Sequence, residues 1–264
     1  VTSALVLLLV TAGLCALFHS VFVLARRIDN YGIVDVAWSY AFGVLAIAYA
    51  LVLPGAWERR TLLAVMVVIW SLRLGTHLYR RVMSHHPVED GRYQRLRIDW
   101  ADGFEGRMAR FFQMQALSVV VLGVPFFVAS LNPAPGLHVF EWVGAGLWLL
   151  AIAGESLADH QLSAFKRDPS NRGRVCDRGL WRWSRHPNYF FEWLVWVAFF
   201  VFALASPWGG IAVISPAVIL YLLLRVTGIP LTEEQSVRSK GEAYRRYQRT
   251  TSMFLPLPPR PDAG

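Results

Sequence analysis

The chain has 264 residues, 55% of them hydrophobic and 17% charged, with 11 Trp and a formal net charge of +8. Charge this sparse, with apolar residues in long blocks rather than short periodic stripes, excludes an ordinary soluble domain and points to a bilayer. The positive balance calls for no nucleic-acid partner, because a bias of Lys and Arg towards cytoplasmic loops accounts for it.

A helix needs about 20 apolar residues to cross a hydrocarbon core of roughly 30 Å. Seven blocks meet that need, near 1–25, 32–54, 61–80, 112–131, 138–159, 189–206 and 209–228. The first is read as a span and not as a secretory signal. It has no basic leader, it runs too long, and Arg26 and Arg27 follow it. The basic residues then set the orientation. The link after the first block carries Arg26 and Arg27, and the link 55–60 carries Arg59 and Arg60. The segment 81–111 is rich in Arg, the link 132–137 has no Lys or Arg, and the segment 160–188 is again rich in both. The turn at 206–209 has none, and the tail carries Arg238, Lys240, Arg245, Arg246, Arg249 and Arg260. Nearly all the positive charge falls on one side, so the N-terminus is expected outside and the C-terminus inside. The expected fold is all-α and integral to the membrane. It is a single domain over 1–264 with a cytoplasmic tail at 229–264. The Pro-rich end (Pro256, Pro258, Pro259) reads as a frayed tail. Cys15 and Cys176 fall in different regions and are not expected to pair, and no metal-ligand cysteine spacing exists.

Ionisable residues inside a bilayer are costly and therefore mark functional candidates. His19, Asp35, Arg73, His77, Glu155, Asp159 and Glu192 all fall within or at the edges of the apolar blocks. A polar pair locking two helices would explain any one of them. Seven together, mostly near cytoplasmic helix ends, suggest a polar cavity open to the cytoplasm. Glu155 and Asp159 are one turn apart on one face, with Lys166 near the same stripe if the helix continues. Arg73, His77 and Arg80 share another face, and Asp35 and Trp38 point together from the start of the second helix. Such a mixed cluster suits an anionic cofactor such as a dinucleotide, with arginines on its phosphates.

The strongest local string runs from Gly179 to Glu192, reading GLWRWSRHPNYFFE. Pro187 suits the first turn of a helix, whose N-terminus favours anions. The Asn188 amide both donates and accepts, matching a carboxamide, and Glu192 lies one turn on. Arg185 and His186 could instead be interfacial anchors. A second string joins Glu233 and Glu234 to Gly241–Tyr247 and then Phe254–Pro256, with Tyr244 and Tyr247 close together. It reads equally as an interfacial helix with tyrosines at headgroup depth. Rossmann and Walker fingerprints are missing: Gly144-Ala145-Gly146 is followed by Leu149 inside an apolar block.

These two strings resemble the membrane steroid 5α-reductase family, most closely its bacterial branch, over most of the chain. The resemblance implies seven helices around a cavity that takes NADPH from the cytoplasm and a lipid-like enone from the bilayer. On the matching positions, Asn188 stands for the residue at the nicotinamide carboxamide and Glu192 for the glutamate one turn later. Asp159 stands for the cofactor-binding aspartate, and Lys166 stands where the family has Arg. Tyr247 matches the tyrosine nine residues before the closing proline, here Pro256, and Arg73 a phosphate-side arginine. Arg185, His186, Tyr189 and Tyr244 complete the expected cofactor set. Asp35 stands where related proteins carry a catalytic Glu, so the side chain is shorter. The ketone-facing tyrosine has no clear counterpart; Trp70 is at or near its position and Tyr79 is the nearest tyrosine, with Trp38 beside Asp35.

The expected chemistry is hydride transfer from NADPH to the β-carbon of an α,β-unsaturated ketone such as a 3-oxo-Δ4 steroid. Asp35, kept protonated by apolar surroundings, or a Tyr or Trp donor would meet the developing enolate. The expected setting is a bacterial inner membrane, with the active site facing the cytoplasm, the lipid bilayer as environment, and no obligatory protein partner. The same strings also resemble the isoprenylcysteine carboxyl methyltransferases, which bind S-adenosylmethionine. An ion or proton carrier using Asp35 and Glu155 is the third possibility.

Overall fold

A computed structural model describes residues 2–226 and 228–262, apart from the side chain of His85. All regular structure among these residues is helical. The helices are α1 (Ser3–Arg27), α2 (Ile33–Val52), α3 (Trp57–His85), α4 (Gly91–Asp99), α5 (Phe104–Leu122), α6 (Val124–Leu131), α7 (Val139–Arg167), α8 (Pro187–Ala203), α9 (Ile214–Tyr221), α10 (Ile229–Lys240) and α11 (Glu242–Thr250). Among the described residues six stretches are long and apolar enough to cross a membrane: Ser3–Arg27, Ile33–Val52, Trp57–Ser84, Phe104–Leu131, Val139–Arg167 and Gly209–Lys240. The remaining apolar block is α8, at 17 residues. Each of the seven predicted blocks thus coincides with helix. The structure lengthens α3 and α7 beyond the apolar residues, because their polar last turns continue the same hydrogen-bond ladder.

The chain forms two compact units, Val1–His138 with Ala203–Ala212, and Val139–Phe202 with Val213–Gly264. In the first unit α2 lies along α3, and small residues permit the approach. Ser71 Oγ donates to Ser39 O at 2.7 Å and accepts from Gly43 N at 3.2 Å. A Cβ on Gly75 would stand 2.5 Å from the Tyr40 ring. Ser39 and Gly43, and Ser71 and Gly75, are each four apart, the spacing by which membrane helices bring their backbones together where lipid gives no hydrophobic drive. Gly123 and Pro125 separate α5 from α6 within one apolar stretch. The two arginines of the link 55–60 have local employment. Arg60 donates to Ala50 O at 2.5 Å and Leu53 O at 2.6 Å, satisfying carbonyls at the end of α2. Arg59, 1% exposed, holds Asn132 O, Ala134 O and Gly136 O at 2.8–3.0 Å.

In the second unit α7 meets α8 closely at Gly144, where a Cβ would lie 2.8 Å from Phe202 N and 2.9 Å from Ala198 O. Beyond the apolar part, α7 carries a docked 3-10 turn, Gly179–Arg182. Trp181 Nε1 donates to Ala158 O at 2.9 Å, and Leu180 N donates to Gln161 Oε1 at 2.9 Å. The Pro-rich end is strapped and not frayed. Arg185 N donates to Ser252 O at 2.8 Å, Ser184 Oγ to Phe254 O at 2.9 Å, and Leu257 N to Trp183 O at 3.0 Å. Proline lacks only its own N–H, so its neighbours and its carbonyl still bond.

Candidate functional site

The string Gly179–Glu192 folds as the sequence suggests. Pro187 opens α8, and His186 O accepts from Phe190 N at 3.0 Å, placing His186 at the cap. The side chains around that cap converge on Glu233, near the start of α10. Glu233 Oε1 accepts from Arg185 Nε at 2.7 Å and lies 3.2 Å from His186 Nε2. Its other oxygen accepts from Gln248 Nε2 at 2.9 Å. Arg185, 8% exposed, also donates through Nη1 to Gln248 O at 2.7 Å and Thr251 O at 2.8 Å. The imidazole of His186 stacks on the Tyr189 ring at 5.5 Å, and the Tyr189 hydroxyl lies 3.3 Å from Thr232 Oγ1. Burial holds the His186 pKa below its usual value, against the opposing pull of Glu233. Tyr244 and Tyr247 are buried beside this network. Burial pushes the Tyr244 phenol up to about 12 and raises Tyr247 as well. The Tyr247 hydroxyl donates to Trp181 O. Both phenols are therefore neutral donors at physiological pH.

A second contact forms between α7 and α8. Asn188 Nδ2 donates to Asp159 Oδ1 at 3.4 Å, and both residues are half-buried. Glu192, one turn further, accepts from Trp196 Nε1 at 3.0 Å. Because α7 continues to Arg167, Lys166 stands two turns beyond Asp159, close to the same face and exposed.

The first unit holds the residues expected at the ketone, with Arg73. Asp35 is occupied on both oxygens: Arg92 pairs with Oδ2, and the Tyr93 hydroxyl donates to Oδ1 at 2.9 Å. With both oxygens in contact, one of them with a guanidinium, Asp35 ties α2 to α4 and does not stand in the wholly apolar surroundings expected for it. Asp35 in turn raises the Arg92 pKa, and burial, followed by Asp35, pushes the Tyr93 phenol well above its usual value. Glu89 reinforces this segment, accepting from Tyr31 N at 2.5 Å and Arg97 Nε at 2.7 Å. Trp38 Nε1 donates to Ser118 Oγ at 2.9 Å, and Trp38, Phe42 and Trp70 form a run of edge and tilted ring contacts. Trp70 is fully buried, whereas Tyr79 is 49% exposed and Arg73 half-buried along α3.

The structure thus joins Arg185 and His186 at one carboxylate, with Tyr189 stacked on His186 and Tyr244 and Tyr247 buried beside the network, and joins Asn188 to Asp159. In the first unit it ties Asp35 to α4 and leaves Tyr79 apart from Trp38 and Trp70. Reading the sequence missed α4, because nine residues with a strongly polar composition give no apolar stripe. The available signal was Tyr93, the one aromatic of the Arg-rich stretch 91–99. It also missed Glu233 and Gln248 as the centre of the cluster, since 48 residues separate Arg185 from Glu233.

These features define an all-helical membrane protein whose polar residues gather at helix ends. The chain belongs to the family described as "Protein of unknown function (DUF1295)", which matches residues 21–251 and is a membrane family related to the steroid 5α-reductases. It is also similar to "Uncharacterized protein C594.04c" of Schizosaccharomyces pombe, 27% identical over 259 residues, covering 86% of this chain and 73% of the relative. No solved structure matches.

Proposed function

We propose that the protein is an NADPH-dependent reductase of the C=C bond of an α,β-unsaturated ketone, acting on a flat hydrophobic enone such as a 3-oxo-Δ4 steroid. The observation that carries this reading is the Asn188–Asp159 contact at the start of α8. It puts an amide and a carboxylate together at a helix N-terminus, half-buried, in a chain whose family is related to the steroid 5α-reductases. A nicotinamide carboxamide offers one donor and one acceptor, and the Asn188 amide complements both. Asp159 holds that amide in one orientation, and Lys166 supplies a cation two turns along. The residues therefore fit the cofactor. When bound, NADPH would supply the hydride; the helices would orient it and exclude water. Charge developing on the ketone oxygen needs a fixed donor or cation. The proton at the α-carbon comes from water.

The same reading makes α8 the seventh span. At 1.5 Å per residue its 17 residues reach about 25 Å, short of a typical core by an amount that thinning or snorkelling accommodates. The N-terminus is then outside, and the site faces the cytoplasm of a bacterial inner membrane.

The test is a binding titration of detergent-purified protein with NADPH, NADH and S-adenosylmethionine, repeated with Asn188→Ala. Preferential NADPH binding, weakened about tenfold in the variant for the loss of one good hydrogen bond, is the expected result. Binding of S-adenosylmethionine alone would make the protein a methyltransferase. An unchanged NADPH affinity in the variant would remove Asn188 from the site.

A further inference from the structure

Residues 252–259 are irregular backbone held beside the start of α8, and their larger side chains alternate between two faces. Phe254 points inward and packs against the Phe190 and Trp193 rings of α8, at centroid distances of 5.7 and 5.8 Å. Met253, Leu255 and Leu257 are 40–51% exposed, and Trp183, whose carbonyl holds Leu257 N, is exposed with them. Four large apolar side chains thus face outward from one fixed strap.

The backbone of the strap suits an apolar setting. Irregular backbone in contact with lipid is costly because of its unsatisfied N–H groups. Of residues 255–259, Pro256, Pro258 and Pro259 have no N–H, and Leu257 N donates to Trp183 O at 3.0 Å. At most the Leu255 N–H needs a further partner. Two carbonyls are also used, Ser252 O by Arg185 N and Phe254 O by Ser184 Oγ. The prolines therefore remove the donors that would otherwise keep this edge in water.

The position of the strap fits as well. It is tied at Trp183, Ser184 and Arg185, just before Pro187, so it stands at one end of the apolar helix α8. The 17 residues of α8 rise about 25 Å, which leaves about 5 Å of a typical hydrocarbon core uncovered. An apolar row beside the first turn supplies apolar surface at that level, and the amphipathic indole of Trp183 suits headgroup depth. The row continues the apolar surface of a span, so its occupant is the bilayer.

We propose that Met253, Leu255, Leu257 and Trp183 form a membrane-interface element, buried at the boundary of headgroups and acyl chains and setting the depth of α8 through Phe254. The proposal rests on α8 as a span and not on the reductase reading.

Full-length protein with one added cysteine is labelled with the fluorophore NBD in phosphatidylcholine nanodiscs, and the signal of labelled wild type is subtracted to remove Cys15 and Cys176. Leu255→Cys reports the strap, Ser170→Cys an exposed polar loop, and Val197→Cys the middle of α8. At Leu255→Cys we expect quenching by a phosphatidylcholine with a nitroxide near its headgroup end, and iodide quenching at least about threefold weaker than at Ser170→Cys. Equal iodide quenching at the two positions overturns the proposal. Shielding from both iodide and the lipid nitroxide also overturns it, and means that a second copy or another protein covers the strap. Val197→Cys is tested with a nitroxide deep in the acyl chain. Quenching there without lipid quenching at Leu255→Cys refutes the strap alone, whereas quenching at neither removes the span and the proposal with it. Met253→Cys replaces Leu255→Cys if that variant does not fold. Neither quencher reports on NADPH, so the outcome is read apart from the Asn188→Ala result.

Discussion

Substituting Arg185 by Ala tests whether this residue builds the site or binds the cofactor. In the structure its guanidinium is committed to Glu233 Oε1 and to two backbone carbonyls, with the side chain 8% and Glu233 15% exposed. Removing it leaves a buried carboxylate without its main counter-charge and two carbonyls short of a donor. Breaking a buried pair from one side costs about 3–5 kcal/mol. For a domain of this size that lowers the unfolding midpoint by roughly 6–20 °C, at about 2–4 °C per kcal/mol. Glu233→Ala should cost nearly as much, and Arg185→Ala/Glu233→Ala little more than either alone, because the second change removes a group already stranded. Thermal unfolding in detergent, run as a double-mutant cycle, measures the coupling, expected at about 2–3 kcal/mol. A midpoint unchanged in Arg185→Ala, with singles that simply add, would refute the clasp and return Arg185 to the cofactor set.

His186 gives a pH dependence. Its pKa is lowered from 6.5 in the folded protein, so the unfolded chain takes up the proton first as pH falls. The stability this group contributes is complete above about 6.5 and is lost as pH drops from there towards the lowered value. His186→Gln should flatten the fall in melting temperature between about pH 7 and 5.5, whereas an unchanged slope would exclude the histidine as its source. Gly144→Ala drives a Cβ into the backbone of α8 and should cost at least about 2 kcal/mol by overpacking. Gly146→Ala, with nothing within 4 Å of its Cβ, should be neutral or stabilise by up to about 1 kcal/mol; thermal melts of the two decide whether α7 and α8 meet at Gly144. Asp35→Asn removes the counter-charge of Arg92 at a half-buried position and should cost about 1–2 kcal/mol. Limited proteolysis should then cut the 86–99 segment faster than in wild type, and an unaltered cleavage rate would show that Asp35 does not hold α4.

Several features were legible because they depend on local spacing or on the solvent. The apolar blocks became helices at nearly their predicted places because an unsatisfied peptide group is too costly in lipid for any other choice. Arg73, His77 and Arg80 share one helix, as do Glu155, Asp159 and Lys166, because only 3.6-residue periodicity is involved. Pro187 opens α8 for the equally local reason that it lacks an N–H. The Asn188–Asp159 contact was legible only as two candidates on separate helices, and nothing in their spacing could pair them.

What only the tertiary structure decided is which polar groups consume one another. Arg185, His186 and Gln248 come from three places in the chain and meet at Glu233. Asp35 meets Arg92 across 57 residues. The Pro-rich tail, which composition alone reads as loose, is fixed by bonds from Ser184, Arg185 and Leu257. The sequence shows that a charge stands where lipid would penalise it. Whether that charge is free for a ligand or already satisfied by a neighbour depends on distances of about 3 Å between residues far apart in the chain, and those are set by how the helices pack.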